Sequence, residues 1–192
     1  LGEHGRRLLA RFGGMIVEWN RCEDWARKVA NCAAGETHYT FALTAALGGV
    51  QLANMLRILA QTTPAGEYRD HLEHVAEYFD RLRVHRNHFC HGVWGVMDPA
   101  NPQDPENASG LINTIRVQGS TVKSEIRHFT ERDLIEVVQW CELGQDYIRY
   151  VSLAFNSAGE ARVGSETLAP VAKPPLPPQI DRGTIYRWFE KR

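Results

Sequence analysis

The sequence predicts an all-α fold: an up-and-down bundle of about four long helices, with a small β-hairpin inserted between the third and the fourth. Two observations carry this. Apolar residues recur at helical spacing over four stretches, near 5–33, 39–61, 67–91 and 130–155. Between the last two the period changes, and the β-branched runs 111–117 and 122–129 flank Gln118-Gly119-Ser120-Thr121. The chain has 192 residues, 43% of them hydrophobic, which suits one domain with a real core plus an appendage.

In the first helix Leu8, Phe12, Ile16, Trp19, Ala26 and Ala30 form the apolar face. Gly13-Gly14 is a point where it can kink or start afresh. Glu23 falls in the centre of the stripe, one turn after Trp19. An inward carboxylate needs a partner, and Arg86 is the candidate; the alternative is a slightly rotated helix with Glu23 at the solvent edge. Gly35 closes this helix. The second carries Leu43, Leu47, Val50, Met55 and Leu59, with Gly48-Gly49 permitting close packing or a local break. Thr62-Thr63-Pro64-Ala65-Gly66 is a stop and turn. The third has Leu72, Val75, Phe79, Leu82 and Phe89 on one face.

After it, Val93-Trp94-Gly95-Val96-Met97 reads as extended, and 98–110, with Pro99, Pro102 and Pro105, as a loop. The hairpin follows, so the insertion spans about 93–129. Arg116, Lys123, Arg127 and Arg132 make this region locally basic, either as a solvated face or as contacts to RNA phosphates. The last helix starts at a capping-box variant, Thr130 with Asp133, beside a Phe129/Leu134 hydrophobic staple. Leu134, Val137, Val138, Cys141, Ile148 and Val151 carry its apolar face to about residue 155.

The helical domain is thus expected over 1–155 and a Pro-rich extension over 156–192. Pro170, Pro174, Pro175, Pro177 and Pro178 suggest a polyproline segment, read as a rigid spacer or as a ligand for a proline-binding domain. Ile185, Tyr186, Trp188 and Phe189 are too apolar for an idle tail. The net charge is −1 and the isoelectric point about 6.8. That argues against binding extended duplexes by charge alone. With no membrane-length apolar run, no secretory signal and four scattered cysteines, a cytoplasmic protein without membrane contact is expected.

The chemistry concentrates in Arg86-Asn87-His88-Phe89-Cys90-His91, followed by Gly92. Arg86 lies in the middle of the third helix's apolar stripe, where a cation needs a partner. Asn87 and His91 are one turn apart, so Asn87 can orient the imidazole. Arg86 and His91 are roughly 140° apart on a regular helix. They converge on one ligand if the last turn loosens at Gly92, or if a second copy of the helix completes the site.

This arrangement, Arg followed by a polar residue, three further residues and His at the end of the third bundle helix, resembles the signature of the HEPN superfamily. Arg86, Asn87 and His91 match it position by position, and Gly92-Val93-Trp94 is similar to its common continuation. The resemblance extends over residues 4–155. It implies a metal-independent endoribonuclease that works as a homodimer with a composite cleft, of toxin or defence type, with RNA as substrate and a protein antitoxin or regulator as a further partner. Some such toxins carry a modifiable Tyr two residues after the His, where this chain has Val93.

The reaction so implied is attack of a ribose 2′-hydroxyl on the adjacent phosphate, leaving a 2′,3′-cyclic phosphate. Histidine, with an ordinary pKa of about 6.5, suits proton transfer. Arginine suits the phosphate because its planar fork stays charged. His91 is then the general base or acid, Arg86 the phosphate ligand and Asn87 the orienting group, with Glu23 and His88 in support. No cofactor or metal is expected. His85, His88 and His91 recur every three residues beside Cys90 and could chelate an ion, but such a step drifts around the helix and no acidic ligands accompany it. The other class of function is a catalytically silent HEPN-like dimer acting as an interaction module.

Overall fold

The computed structural model describes residues 2–91, 93–97, 109–118, 121–160 and 172–179, excepting the side chains of 96–97, 114–118, 121–125 and 155–160. The order of elements is α1 (Glu3–Ala33), α2 (His38–Ala45), α3 (Gly49–Thr62), α4 (Glu67–Cys90), β1 (Val93–Met97), β2 (Ser109–Gln118), β3 (Thr121–Thr130) and α5 (Glu131–Glu160). The described chain is mostly helical, with one antiparallel sheet in the order β1-β2-β3. The proline-rich loop expected at 98–110 lies outside the described residues up to position 108, and so does the aromatic stretch containing Ile185, Tyr186, Trp188 and Phe189.

The chain divides into two compact units. Of the described residues, a sheet unit draws on 2–17, those within 84–139 and Gln179, and a helical unit on Glu18–Arg83 and those within 140–178. α1, α4 and α5 each contribute residues to both.

In the helical unit the stripes of α4 and α5 follow the sequence pattern. Leu72, Val75, Phe79 and Leu82 are buried, as are Cys141, Ile148 and Val151. Trp19 stacks on Phe79 with ring centroids 5.0 Å apart. Gly144 is small because Tyr78 lies against it: an added Cβ would sit 2.3 Å from the ring. The Tyr78 hydroxyl donates to the Trp140 carbonyl at 2.8 Å.

Two expected faces differ. On α1 Leu8, Trp19, Ala26 and Ala30 are buried as expected, but between them the stripe runs through Met15 and Cys22 rather than Ile16 and Glu23. The second helix is broken. α2 ends at Ala45 with Ala46 as its C-cap, and α3 restarts behind an extended Gly48 N-cap. The break resets the helical phase, so Leu52, Ala53, Leu56 and Ala60 form the core face of α3 while Leu43 and Val50 are exposed. Gly49 is where α3 passes close to Arg83, whose Cδ would be 3.2 Å from a Cβ there. Arg27 donates to the Thr44 and Leu47 carbonyls at 3.2 and 2.9 Å, tying α1 to the break after α2.

The sheet unit explains its own alternation. Trp94 pairs with Ile112 and Ile112 with Arg127, and Gly110 pairs with Phe129. Ile112, Arg127 and Phe129 are buried. The next row, Val93, Asn113 and Ile126, puts Val93 and Ile126 in solvent. The expected hairpin is thus two strands of a three-stranded sheet, β1 being the extended segment after the motif.

Candidate functional site

The motif forms the last turn of α4 and the residue after it. Its backbone stays helical to the end, with the His91 N–H donating to the Asn87 carbonyl at 3.2 Å. Phe89 is buried among aromatic rings. Its centroid is 5.6 Å from Phe129, which is 4.6 Å from Trp94, which in turn is 4.5 Å from Phe12. Trp94 Nε1 donates to the Phe89 carbonyl at 2.8 Å, so β1 satisfies an acceptor that the helix end leaves open. Gly110 makes room for Phe129, whose Cζ would be 2.3 Å from a Cβ there. The sheet thereby fixes the turn that carries the motif.

Arg86 is half-buried. Its Nη1 donates to Asn87 Oδ1 at 2.9 Å, while its Nε is buried with no hydrogen-bond partner among the described residues. Leaving a buried donor unmet costs about 1–3 kcal/mol, so this guanidinium is poised for an acceptor. Asn87 is half-buried, and its side-chain oxygen serves Arg86 rather than the imidazole of His91. His91 is exposed. Burial pushes the Cys90 thiol above its ordinary pKa, and the nearby Arg86 charge only partly opposes this. Cys90 is therefore a protonated thiol and a poor nucleophile.

Of the basic residues assigned to RNA, Arg127 turns inward. It is buried, and its Nη1 meets His88 Nδ1. A guanidinium has only donors, so Nδ1 is the acceptor in this contact. The half-buried His88 ring also packs edge-on against Phe89 at 5.4 Å. Arg127 thus braces the motif turn from β3. Its inward placement could have been found by counting two back from Phe129 along a strand. Arg132 is exposed on the first turn of α5. Arg116 and Lys123 are register partners whose side chains lie outside those described.

Glu23 is engaged along α1. One carboxylate oxygen accepts from Trp19 Nε1 at 3.0 Å and the other from Arg27 Nη2 at 2.8 Å, so both are taken within its own helix. Glu23 is half-buried, beside the fully buried Cys22. The buried acid that sequence reasoning missed is Glu131, at the start of α5, held by Arg7 and by Arg11 at 3.0 Å. Its position in the first helical turn is electrostatically favourable and gave no hint of burial. Among the described residues no three His, Cys, Asp or Glu side chains gather to hold a metal. No described helix is long and apolar enough to cross a membrane.

Compared with protein-family models, curated proteins and solved structures, the chain matches none.

Proposed function

We propose that the chain is a metal-independent endoribonuclease of the HEPN type, built as an up-and-down bundle in which α2 and α3 together make the second of four helical legs. The observation that carries this is the Arg86 guanidinium at the end of α4, with one arm bonded to Asn87 and a buried Nε unmet, five residues before an exposed His91.

In this reading RNA lies across the end of α4. The 2′-oxygen forms a bond to phosphorus while the bond to the 5′-oxygen breaks. His91 takes the hydroxyl proton or supplies one to the leaving oxygen. Arg86 gains its missing acceptor when a non-bridging phosphate oxygen, carrying more charge in the transition state, reaches Nε. Asn87 holds the guanidinium in plane. Arg127 and His88 keep the turn rigid, which matters because small misplacements are costly in catalysis. Two copies of the chain bring two such turns to one cleft.

The test is cleavage of a broad RNA set in excess EDTA by the unmodified protein, Arg86→Ala and His91→Ala, with end-group analysis. Cleavage that survives EDTA, leaves cyclic phosphate and vanishes in both variants is expected. Activity abolished by EDTA, or undiminished in either variant, would overturn the reading.

A second reading has its own support. α2 and α3 leave Tyr39, Phe41, Leu43, Val50 and Ile58 exposed. A catalytically silent interaction module would use that surface. Folded protein that cleaves nothing, and whose oligomeric state changes in Arg86→Ala, would favour it.

A further inference from the structure

The first turns of α1 carry Arg6, Arg7 and Arg11 against a single acid, Glu3. Arg7 and Arg11 lie one turn apart, and on a bare helix their like charges would repel. Here they share one acceptor. Glu131, at the start of α5, takes a bond from Arg7 Nη2 on one oxygen and from Arg11 Nε, at 3.0 Å, on the other. Its side chain is 4% exposed, whereas those of Arg7 and Arg11 are 38% and 54% exposed. A buried carboxylate must be paired, and a single arginine fork can cover both of its oxygens. Two arginines bonded to it leave an excess of positive charge at the surface. Arg11 engages through Nε, and its two terminal nitrogens make no hydrogen bond among the described residues.

This pair and the motif turn rest on one aromatic cluster in the sheet unit. Phe12, next after Arg11, packs against Trp94 at 4.5 Å, and Trp94 bonds to the Phe89 carbonyl. Glu131 comes two residues after Phe129, whose ring lies 5.6 Å from that of Phe89. Four residues of helix rise about 6 Å, comparable to the step between neighbouring phosphates along a nucleic-acid strand. A chain with a net charge of −1 has no general attraction for a polyanion, so a local pair of guanidinium groups must supply it. The planar fork of arginine suits phosphate oxygens.

We propose that Arg7 and Arg11, held side by side by the buried Glu131, form a ridge that binds two neighbouring phosphates of single-stranded RNA, away from the bond that is cut. The choice of RNA over an acidic protein rests on the ribonuclease reading of the motif turn that shares the cluster. Glu131 is a positioning residue, which fixes the two side chains and offsets their repulsion. Contacts of this kind set where the strand lies and carry no sequence information.

The test is the salt dependence of binding between the full chain and a fluorescent single-stranded RNA of mixed sequence. Its riboses are 2′-O-methylated, so the 2′-hydroxyl attack cannot occur. Each phosphate contact to a single strand contributes about 0.7 to the slope of log K against log salt concentration. Arg11→Gln leaves Glu131 held by Arg7 and should lose about 0.7 of that slope. Arg7→Gln, Arg11→Gln and Glu131→Gln combined strand no buried charge and should lose about 1.4. Arg21→Gln, further along α1 with a side chain 60% exposed and paired to Glu18, should lose nothing. All three variants lower the net charge by one, so differences among them report contacts and not overall charge. No binding by the unmodified protein, the outcome if an acidic protein is the true partner, would overturn the ridge. An unchanged slope in Arg11→Gln, or an equal loss in Arg21→Gln, would overturn it as well. The expected slopes in a protein that cleaves no RNA would uphold the ridge and sink the nuclease reading alone; cleavage with unaltered slopes would do the reverse.

Discussion

A guanidinium is specified by its shape as much as by its charge, and Arg86 makes the distinction testable. Its Nη1 is bonded to Asn87, and its buried Nε, a directed donor that lysine lacks, is unmet among the described residues. Under the ribonuclease reading Arg86→Lys keeps the charge and loses the directed donor. Cleavage should fall about 10²-fold or more, the cost typical of removing one transition-state hydrogen bond, while urea unfolding changes little. Gly144 is a residue where two effects compete. Alanine in a helix is worth about 1 kcal/mol over glycine. Here its Cβ would meet the Tyr78 ring at 2.3 Å, and that ring is fully buried with its hydroxyl tied to Trp140. Overpacking costs about 1–3 kcal/mol, so Gly144→Ala should lower the urea midpoint despite the better helix former.

At the scale of elements, the start of α5 is the most local feature and the most readable. The Thr130 N–H donates to Asp133 Oδ2 at 2.7 Å, and the Asp133 N–H returns a bond to Thr130 Oγ1 at 3.3 Å. Thr130→Ala should cost about 1 kcal/mol of stability by denaturant unfolding. α3 and α4 are joined by Asp80, which accepts from Arg57 and, at 2.8 Å, from Arg83. Burial alone would raise that carboxyl, but the two arginines outweigh it and hold it below its ordinary pKa. A lowered carboxylate pKa gives stability that is present above the unfolded value of about 3.9 and lost as pH falls through the folded one. Asp80→Asn should therefore be less stable at neutral pH and show a flatter acid limb in a pH series of unfolding curves. Such features were unequally legible. The stripes of α4 and α5 and the Thr130 cap depend on neighbours in sequence, and they were read correctly. The phase of α2 and α3 was not, because Gly48-Gly49 allowed either a packed helix or a break, and only the partners that Gly49 meets decide between them. Likewise the motif was visible as Arg86, Asn87 and His91, but the burial of Arg127 against His88, and the partners of Glu23, depend on rotations and registers that spacing leaves free.

For the whole molecule, the question is how Arg86 and His91 act together at all. They are five positions apart on a turn that stays helical to its last backbone bond, so they point roughly 140° apart. Loosening of that turn is disfavoured by the Trp94 bond to the Phe89 carbonyl and the aromatic packing around it. Under the proposed function, that rigidity leaves a second copy of the chain as the route to convergence, with Arg86 of one protomer working beside His91 of its partner in a twofold cleft. Mixing separately inactive Arg86→Ala and His91→Ala proteins tests this. A mixed pair retains one intact arginine and one intact histidine on opposite protomers, so cleavage by the mixture should rise above that of either parent after subunit exchange. If the two residues instead served one substrate from the same protomer, every mixed pair would still lack one of them in each motif. The mixture would then stay as silent as its components.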